Sequence, residues 1–188
     1  MRKIISMMAI LSALTMGAYA QNIAGFVYQA SLPTGETKDF IDKTSWLGFG
    51  LEGRQFINEN ASVGMYVGYN KFEEFQSGEN ITGNREHKVD AWPILFTSYL
   101  YFGDRYSITG YIGGGIGTYY IRNRVIAPTL GYSEYRWHFG VAPEFGFIIR
   151  VAEYVGLIAS AKYNYAFKSG NSTHSYWSFS TGFVWARY

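Results

Sequence analysis

The sequence contains no cysteine, which excludes a disulfide framework and thiol chemistry alike. It also lacks an excess of charge of either sign. The formal net charge of +2 is carried by Arg2 and Lys3, and the remaining basic and acidic residues balance at 14 each. No cationic surplus is left to hold nucleic acid or an anionic surface. Beyond the first twenty residues there is no apolar run of about 18 residues, so no membrane-spanning helix is expected. Charged residues make up only 16%, against roughly 25% in soluble domains. What takes their place is aromatic and small: 19% Phe, Trp and Tyr, and 22 glycines. That composition argues against a soluble α/β enzyme.

The start of the chain reads as an export signal. Arg2 and Lys3 precede an apolar stretch from Ile4 to about Met16, and Ala18 and Ala20 supply small residues at the positions a signal peptidase reads. Cleavage is expected before Gln21, which makes 1–20 a secretory signal peptide and 21–188 a single domain. The residue after the cut is not cysteine, so a lipid anchor is not expected.

From Asn22 onward apolar residues recur with period two and helical periodicity is absent. The pattern predicts eight strands at 22–32, 44–57, 61–73, 87–102, 106–120, 133–149, 154–168 and 174–188. Such lengths exceed the roughly five or six residues usual in soluble sheets. Short turns at 58–60, 103–105 and 150–153 alternate with long polar segments at 33–43, 74–86 and 121–133. This alternation is the rhythm of an up-and-down barrel whose two ends face different compartments. The strand faces explain the composition. In 133–149, Tyr135, Trp137, Phe139, Val141, Phe145 and Phe147 oppose Glu134, Arg136, His138, Gly140, Ala142, Glu144 and Gly146. Along the last strand Trp177, Phe179, Phe183 and Trp185 oppose serine, glycine and alanine. A soluble sandwich would put Lys, Glu and Thr on its second face. A face of Gly, Ser and Ala with scattered charges suits the crowded inside of an eight-stranded barrel, and the aromatic face then meets lipid. Trp137, Trp177, Phe179, Phe183 and Trp185 are therefore expected in a lipid-facing aromatic girdle. Two segments resist phasing: 91–102 is apolar on both faces, with Pro93 expected at a bulge or strand end, and 106–120 could turn either its isoleucines or its tyrosines outward.

The signal peptide, the hairpin "SWLGFGLEGRQFINENASVGMYVGYNKF", the glycine-rich "YFGDRYSITGYIGGGIGTYY" and a last strand ending on Tyr188 resemble the small eight-stranded outer-membrane barrels of Gram-negative bacteria, the OmpX, OmpA-transmembrane and opacity-like group. The resemblance implies an all-β, antiparallel transmembrane barrel with short periplasmic turns, longer extracellular loops and both termini in the periplasm. It also implies outer-membrane lipids as surroundings, and the barrel-insertion machinery as a partner through the last strand. Tyr188 departs from the family pattern, because it falls in phase with Ala186 and Val184 rather than with Trp185.

Six polar residues fall on the expected inner face: Glu52, Arg54, Arg136, His138, Glu144 and Lys162. Buried charges are costly alone, so they are expected to pair across the lumen, as a filled interior or, alternatively, as the lining of a narrow pore for small solutes. An outer-membrane lipid-modifying enzyme is a further alternative. Lipid A deacylases of this fold use His and Ser two apart on one face, whereas His174 is followed two on by Tyr176 and His138 by Gly140. The three histidines lack metal-ligand spacing, and "GYIGGGIG" opens no helix that could receive a phosphate. No enzyme activity, cofactor, metal or nucleic-acid partner is expected. The segments 33–43, 74–86 and 121–133 are expected to project outside the cell, for adhesion, envelope integrity or contact with a host surface.

Overall fold

The computed structural model describes residues 21–76, 85–104, 107–126, 131–170 and 172–187. The expected signal peptide and Tyr188 lie outside the described residues. The strands are β1 (Asn22–Thr34), β2 (Ser45–Asn58), β3 (Ala61–Gln76), β4 (Arg85–Gly103), β5 (Ile108–Ile126), β6 (Gly131–Arg150), β7 (Val155–Ser169) and β8 (Ser172–Arg187). One short helix, α1 (Gly35–Phe40), follows β1. Each strand pairs antiparallel with its sequence neighbours, and β1 pairs with β8 from Asn22↔Arg187 to Thr34↔Ser175, which closes the sheet. Closure leaves no edge along the barrel wall, so no strand there offers an open ladder to another chain or to lipid.

The period-two pattern expresses itself directly as two surfaces. Phe26, Leu51, Met65, Phe96, Ile112, Phe145, Leu157 and Phe179, one from each strand, are all exposed on the outer wall. An apolar belt of that extent is not a water-facing surface, and it makes this a membrane-spanning barrel. Aromatic rings border the belt at both ends. On the loop side Tyr69 packs on Trp92 with centroids 4.4 Å apart, Tyr120 on Trp137 at 5.1 Å, and Tyr163 on Trp177 at 5.0 Å. On the turn side Phe102, Tyr154 and Trp185 are exposed. Of the expected girdle, Trp137, Phe179, Phe183 and Trp185 are about half exposed, and Trp177 is partly covered by its neighbours.

The interior resolves the two ambiguous segments. Ala91, Leu95, Thr97, Tyr99 and Tyr101 point inward, and Trp92, Ile94, Phe96, Leu100 and Phe102 point outward. In β5, Tyr111 and Tyr119 are buried while Ile108, Ile112 and Ile116 are exposed. Glycines on the facing strands make room for these rings. A Cβ on Gly50 would come within 2.6 Å of the Tyr66 ring, one on Gly140 within 2.7 Å of Tyr119, and one on Gly146 within 2.7 Å of Tyr111. Small residues on the inner face are thus the complement of large tyrosines on the same face.

Three expectations need correction. Pro93 marks neither a bulge nor a strand end. β4 runs through it, and pairing with β3 lapses between Val67↔Ile94 and Asn70↔Ala91 and resumes in the same register. A missing donor costs one rung, which the long ladders on either side absorb. Second, 33–43 does not simply project outward. It folds back as α1, with Thr37 and Ile41 buried in the mouth of the barrel; one and a half turns are too short to show helical periodicity. Third, most of 121–133 is strand. β5 and β6 stay paired out to Ile126↔Gly131, and β3 and β4 out to Gln76↔Arg85. These rungs lie beyond the aromatic row, where Lys88, Arg122 and Arg124 replace belt residues on the outer face while Phe72, Val89 and Ile121 stay buried on the inner one, so the apolar-outward alternation of the wall is missing.

Candidate functional site

The centre of the bore holds a cluster of charges and tyrosines. Glu52 and Arg54 are on the inner face of β2, Glu144 on β6, and Lys162 lies directly opposite Glu144 on β7. Glu144 accepts hydrogen bonds from Tyr99 Oη at 2.7 Å and Tyr111 Oη at 3.0 Å. Its carboxylate lies 3.1 Å from Lys162 Nζ and 3.8 Å from Arg54 Nη2. Arg54 Nη2 is also 2.9 Å from Glu52 Oε2, and Nη1 donates to Tyr101 Oη at 3.2 Å. The Arg54 guanidinium sits 3.9 Å from the Tyr99 ring centroid and 4.4 Å from that of Tyr111, and Lys162 Nζ is 3.4 Å from the Tyr66 centroid. Two cations thus face two anions, and Arg54, Lys162 and Glu144 each also touch a phenol or a ring face, whereas Glu52, among the described residues, meets Arg54 alone. In a region this dry, that pairing offsets much of the cost of removing the charges from water.

Above this cluster the bore continues as a neutral hydrogen-bonded layer. Tyr66 Oη donates to Gln29 Oε1 at 2.7 Å, and Gln29 Nε2 donates to Ser180 Oγ at 2.9 Å. Ser31 bridges Asn70 and Ser178, each at 2.8 Å, and Asn164 Nδ2 donates to Ser178 Oγ at 3.1 Å. Side chains from at least six strands therefore meet across the lumen in two consecutive layers.

At the mouth, His138 and His174 are buried with ring centroids 5.2 Å apart, edge to face. His138 Nδ1 lies 3.0 Å from the Phe167 carbonyl oxygen, and His174 Nδ1 lies 3.4 Å from Thr37 Oγ1. Thr37 Oγ1 also accepts the Ser175 N–H at 2.9 Å, and Glu36 accepts that of Thr173 at 2.7 Å, which fastens α1 to β8. His87 stacks on Phe40 at 4.9 Å. Among the described residues no group of three or more His, Cys, Asp and Glu converges on a metal-sized position.

The six inner-face residues thus separate by height. Glu52, Arg54, Glu144 and Lys162 come together. His138 lies near the mouth, apart from them. Arg136 is outside the bore: its side chain is exposed and pairs with Glu134 on its own strand. The inner-face phase of Arg136 follows the pattern, but that stretch of β6 rises past the barrel rim, where the inward direction opens to water. The tyrosines that complete the charged cluster were not among the expected inner-face polar residues, since the facing of 91–102 and 106–120 was open. Their signal was present in Tyr66, which stands between Gly64 and Gly68 on an otherwise small face.

No family model matches the chain, and no curated protein matches it significantly. Solved structures do. Neisserial surface protein A aligns with 89% of this chain and 96% of its own, at a TM-score of 0.58 and 15% identity. OprG from Pseudomonas aeruginosa covers 90% and 97%, at 0.59 and 12%. Ail of Yersinia pestis, solved in complex with the heparin analogue sucrose octasulfate, covers 88% and 97%, at 0.51 and 15%. The fold is that of the small outer-membrane barrels. At these identities the likeness is one of architecture. The eight-stranded outer-membrane barrel fold fits the belt, the aromatic borders and the filled bore already described, and it assigns none of those residues an activity.

Proposed function

We propose that this chain is an integral outer-membrane barrel with a structural and surface-interaction role, exported by the signal at 1–20 and acting through its loop end. The observation that carries this reading is the contrast between a blocked bore and a raised outer end. The bore is crossed by the Glu52–Arg54–Glu144–Lys162 cluster and its tyrosines. β3 to β6 continue past the aromatic row as a small sheet. On the β6 side of that sheet, pairing with β7 reaches Gly140↔Ala166, and the segment 131–139 runs on beyond that rung, with Tyr135 and Trp137 exposed. A rigid barrel presenting a strand and the exposed Tyr135 outward of its aromatic row is suited to contacts with a neighbouring or host surface.

Two measurements test the reading. A cysteine placed at exposed Tyr135 should react with a membrane-impermeant maleimide on intact cells, and one at Ile57, by the β2–β3 turn, should react only after the outer membrane is breached. The refolded barrel should be silent in a planar bilayer. Reproducible conductance steps that change in Glu144→Gln would instead make the central cluster the lining of a pore.

A further inference from the structure

We propose that the outer wall of the β3–β6 extension binds the phosphorylated headgroup of a membrane lipid, through Arg122 supported by Lys71, Lys88 and Arg124. The site rests on the reading of this chain as a bilayer-inserted barrel, and specifies one lipid contact of that barrel.

The charge balance of the whole chain conceals a local imbalance here. Trp92 and Tyr120 stand opposite each other in the β4–β5 register, and Tyr120 and Trp137 in that of β5–β6. One step outward along the strands, on the same face, comes the row Lys71, Asp90, Arg122, Tyr135, each opposite the next. The following row is Glu73, Lys88, Arg124, Ser133. Four cations therefore share this patch with two carboxylates, and both carboxylates are engaged. Glu73 is 2.6 Å from Lys71 Nζ and 3.6 Å from Lys88 Nζ. Asp90 is 3.0 Å from Arg124 Nη2 and accepts from Tyr69 Oη at 2.8 Å. Arg122 has no acidic partner among the described residues, and its Nε is buried without an acceptor.

The result is a half-buried lattice in which one guanidinium remains uncommitted. Lys71, Lys88 and Arg124 keep 27%, 20% and 33% of their side chains exposed, so they are held in place yet reachable. A guanidinium matches a phosphate in a bidentate manner, and flanking ammonium groups add charge without geometric demand. Depth selects a lipid over a soluble anion. Interfacial Trp and Tyr mark headgroup level, and the lattice begins one rung beyond them. Directly below, Ile94, Ile116 and Phe139 are exposed on the belt, where the acyl chains of the same lipid would lie.

The test uses the refolded protein in phosphatidylcholine vesicles, with tryptophan fluorescence quenched by brominated phosphatidic acid or brominated phosphatidylcholine at equal mole fraction. A cation near the surface contributes about 1 kcal/mol towards an anionic lipid, so phosphatidic acid should be preferred by roughly five-fold or more. Arg122→Gln should bring the preference close to unity, whereas Arg122→Lys should keep most of it. Lys38→Gln, which removes an exposed cation on α1 whose ion pair is with Asp42 and not with the lattice, should change nothing. Equal quenching by the two lipids in an inserted wild-type protein overturns the proposal. So does a preference that survives in Arg122→Gln combined with Lys71→Gln, or one lost in Lys38→Gln, since either would mean diffuse charge attraction. Excess inorganic phosphate should leave the preference intact; if it abolishes it, the wall is a soluble-phosphate site and the lipid assignment fails. Insertion is read separately from gel mobility before boiling. A chain that never inserts overturns the bilayer reading itself, and the site with it.

Discussion

Glu144 is the residue on which the interior depends most. Four groups converge on its carboxylate: Tyr99, Tyr111, Lys162 and Arg54. Glu144→Leu would leave Lys162 without its anion and Arg54 with Glu52 alone. Removing one member of a buried ion pair costs about 3–5 kcal/mol, and the urea midpoint of the refolded barrel should fall accordingly. Glu144→Gln keeps an acceptor for the phenols and should cost less. Packing gives a second test. A Cβ on Gly68 would strike Tyr66 Oη, so Gly68→Ala should destabilise by about 1–3 kcal/mol, as overpacked cores do. Tyr66→Phe removes the struck atom. If steric conflict is the cause, Gly68→Ala should cost clearly less in the Tyr66→Phe background than alone, and equal costs in both would refute it.

At the scale of single elements, α1 and the β3–β4 extension behave differently from the barrel wall. The helix is short and depends on Thr37, whose hydroxyl accepts the Ser175 N–H. Thr37→Val should remove hydrogen-exchange protection at Ser175 and along α1 while leaving the amides of β5 unchanged, since opening there is local. The extension is instead a polar ladder. Glu73 lies on it, beyond the aromatic row, and its hydrogen bond to Lys71 holds its carboxyl below the ordinary 4.5. A carboxyl lowered on folding stabilises fully above its unfolded value and loses that contribution as pH falls through its folded one. Exchange at the outer amides of β3 and β4 should therefore be constant from about pH 7 to 5 and accelerate, after correction for intrinsic rates, only under more acidic conditions. Glu73→Gln should remove the acid step.

The molecule as a whole is a closed ladder with no free wall edge, so it should not open one strand at a time. The folded barrel should migrate faster on an unboiled gel than after boiling, and should stay in the membrane through a high-salt wash. Release by salt alone would contradict the apolar belt. Architecture of this kind is shared with Neisserial surface protein A and OprG at 15% and 12% identity. Identity that low is tolerable because the belt requires only apolar side chains at alternate positions, and many sequences satisfy that condition. The outer rungs and the mouth are free of it.

The sequence by itself determined the strand count, the alternation of short and long connections and which residues of most strands face outward. Each follows from local chemistry, since a strand between lipid and a narrow bore must alternate. It placed Glu52, Arg54, Glu144 and Lys162 on the inner face for the same reason. Only the tertiary structure decided which of the inner-face charges meet. Partners there come from β2, β6 and β7, and register and barrel tilt set their heights, which separates Arg136 and His138 from the central cluster. The phase of 91–102 was equally beyond local reading, because both faces of that segment are apolar: the inner one packs on tyrosines and glycines, the outer one on lipid. The charged lattice beside Arg122 was hidden for a different reason. Lys71, Glu73, Lys88 and Asp90 fall at the ends of expected strands and Arg122 and Arg124 in an expected loop, and only cross-strand pairing assembles them into a surface.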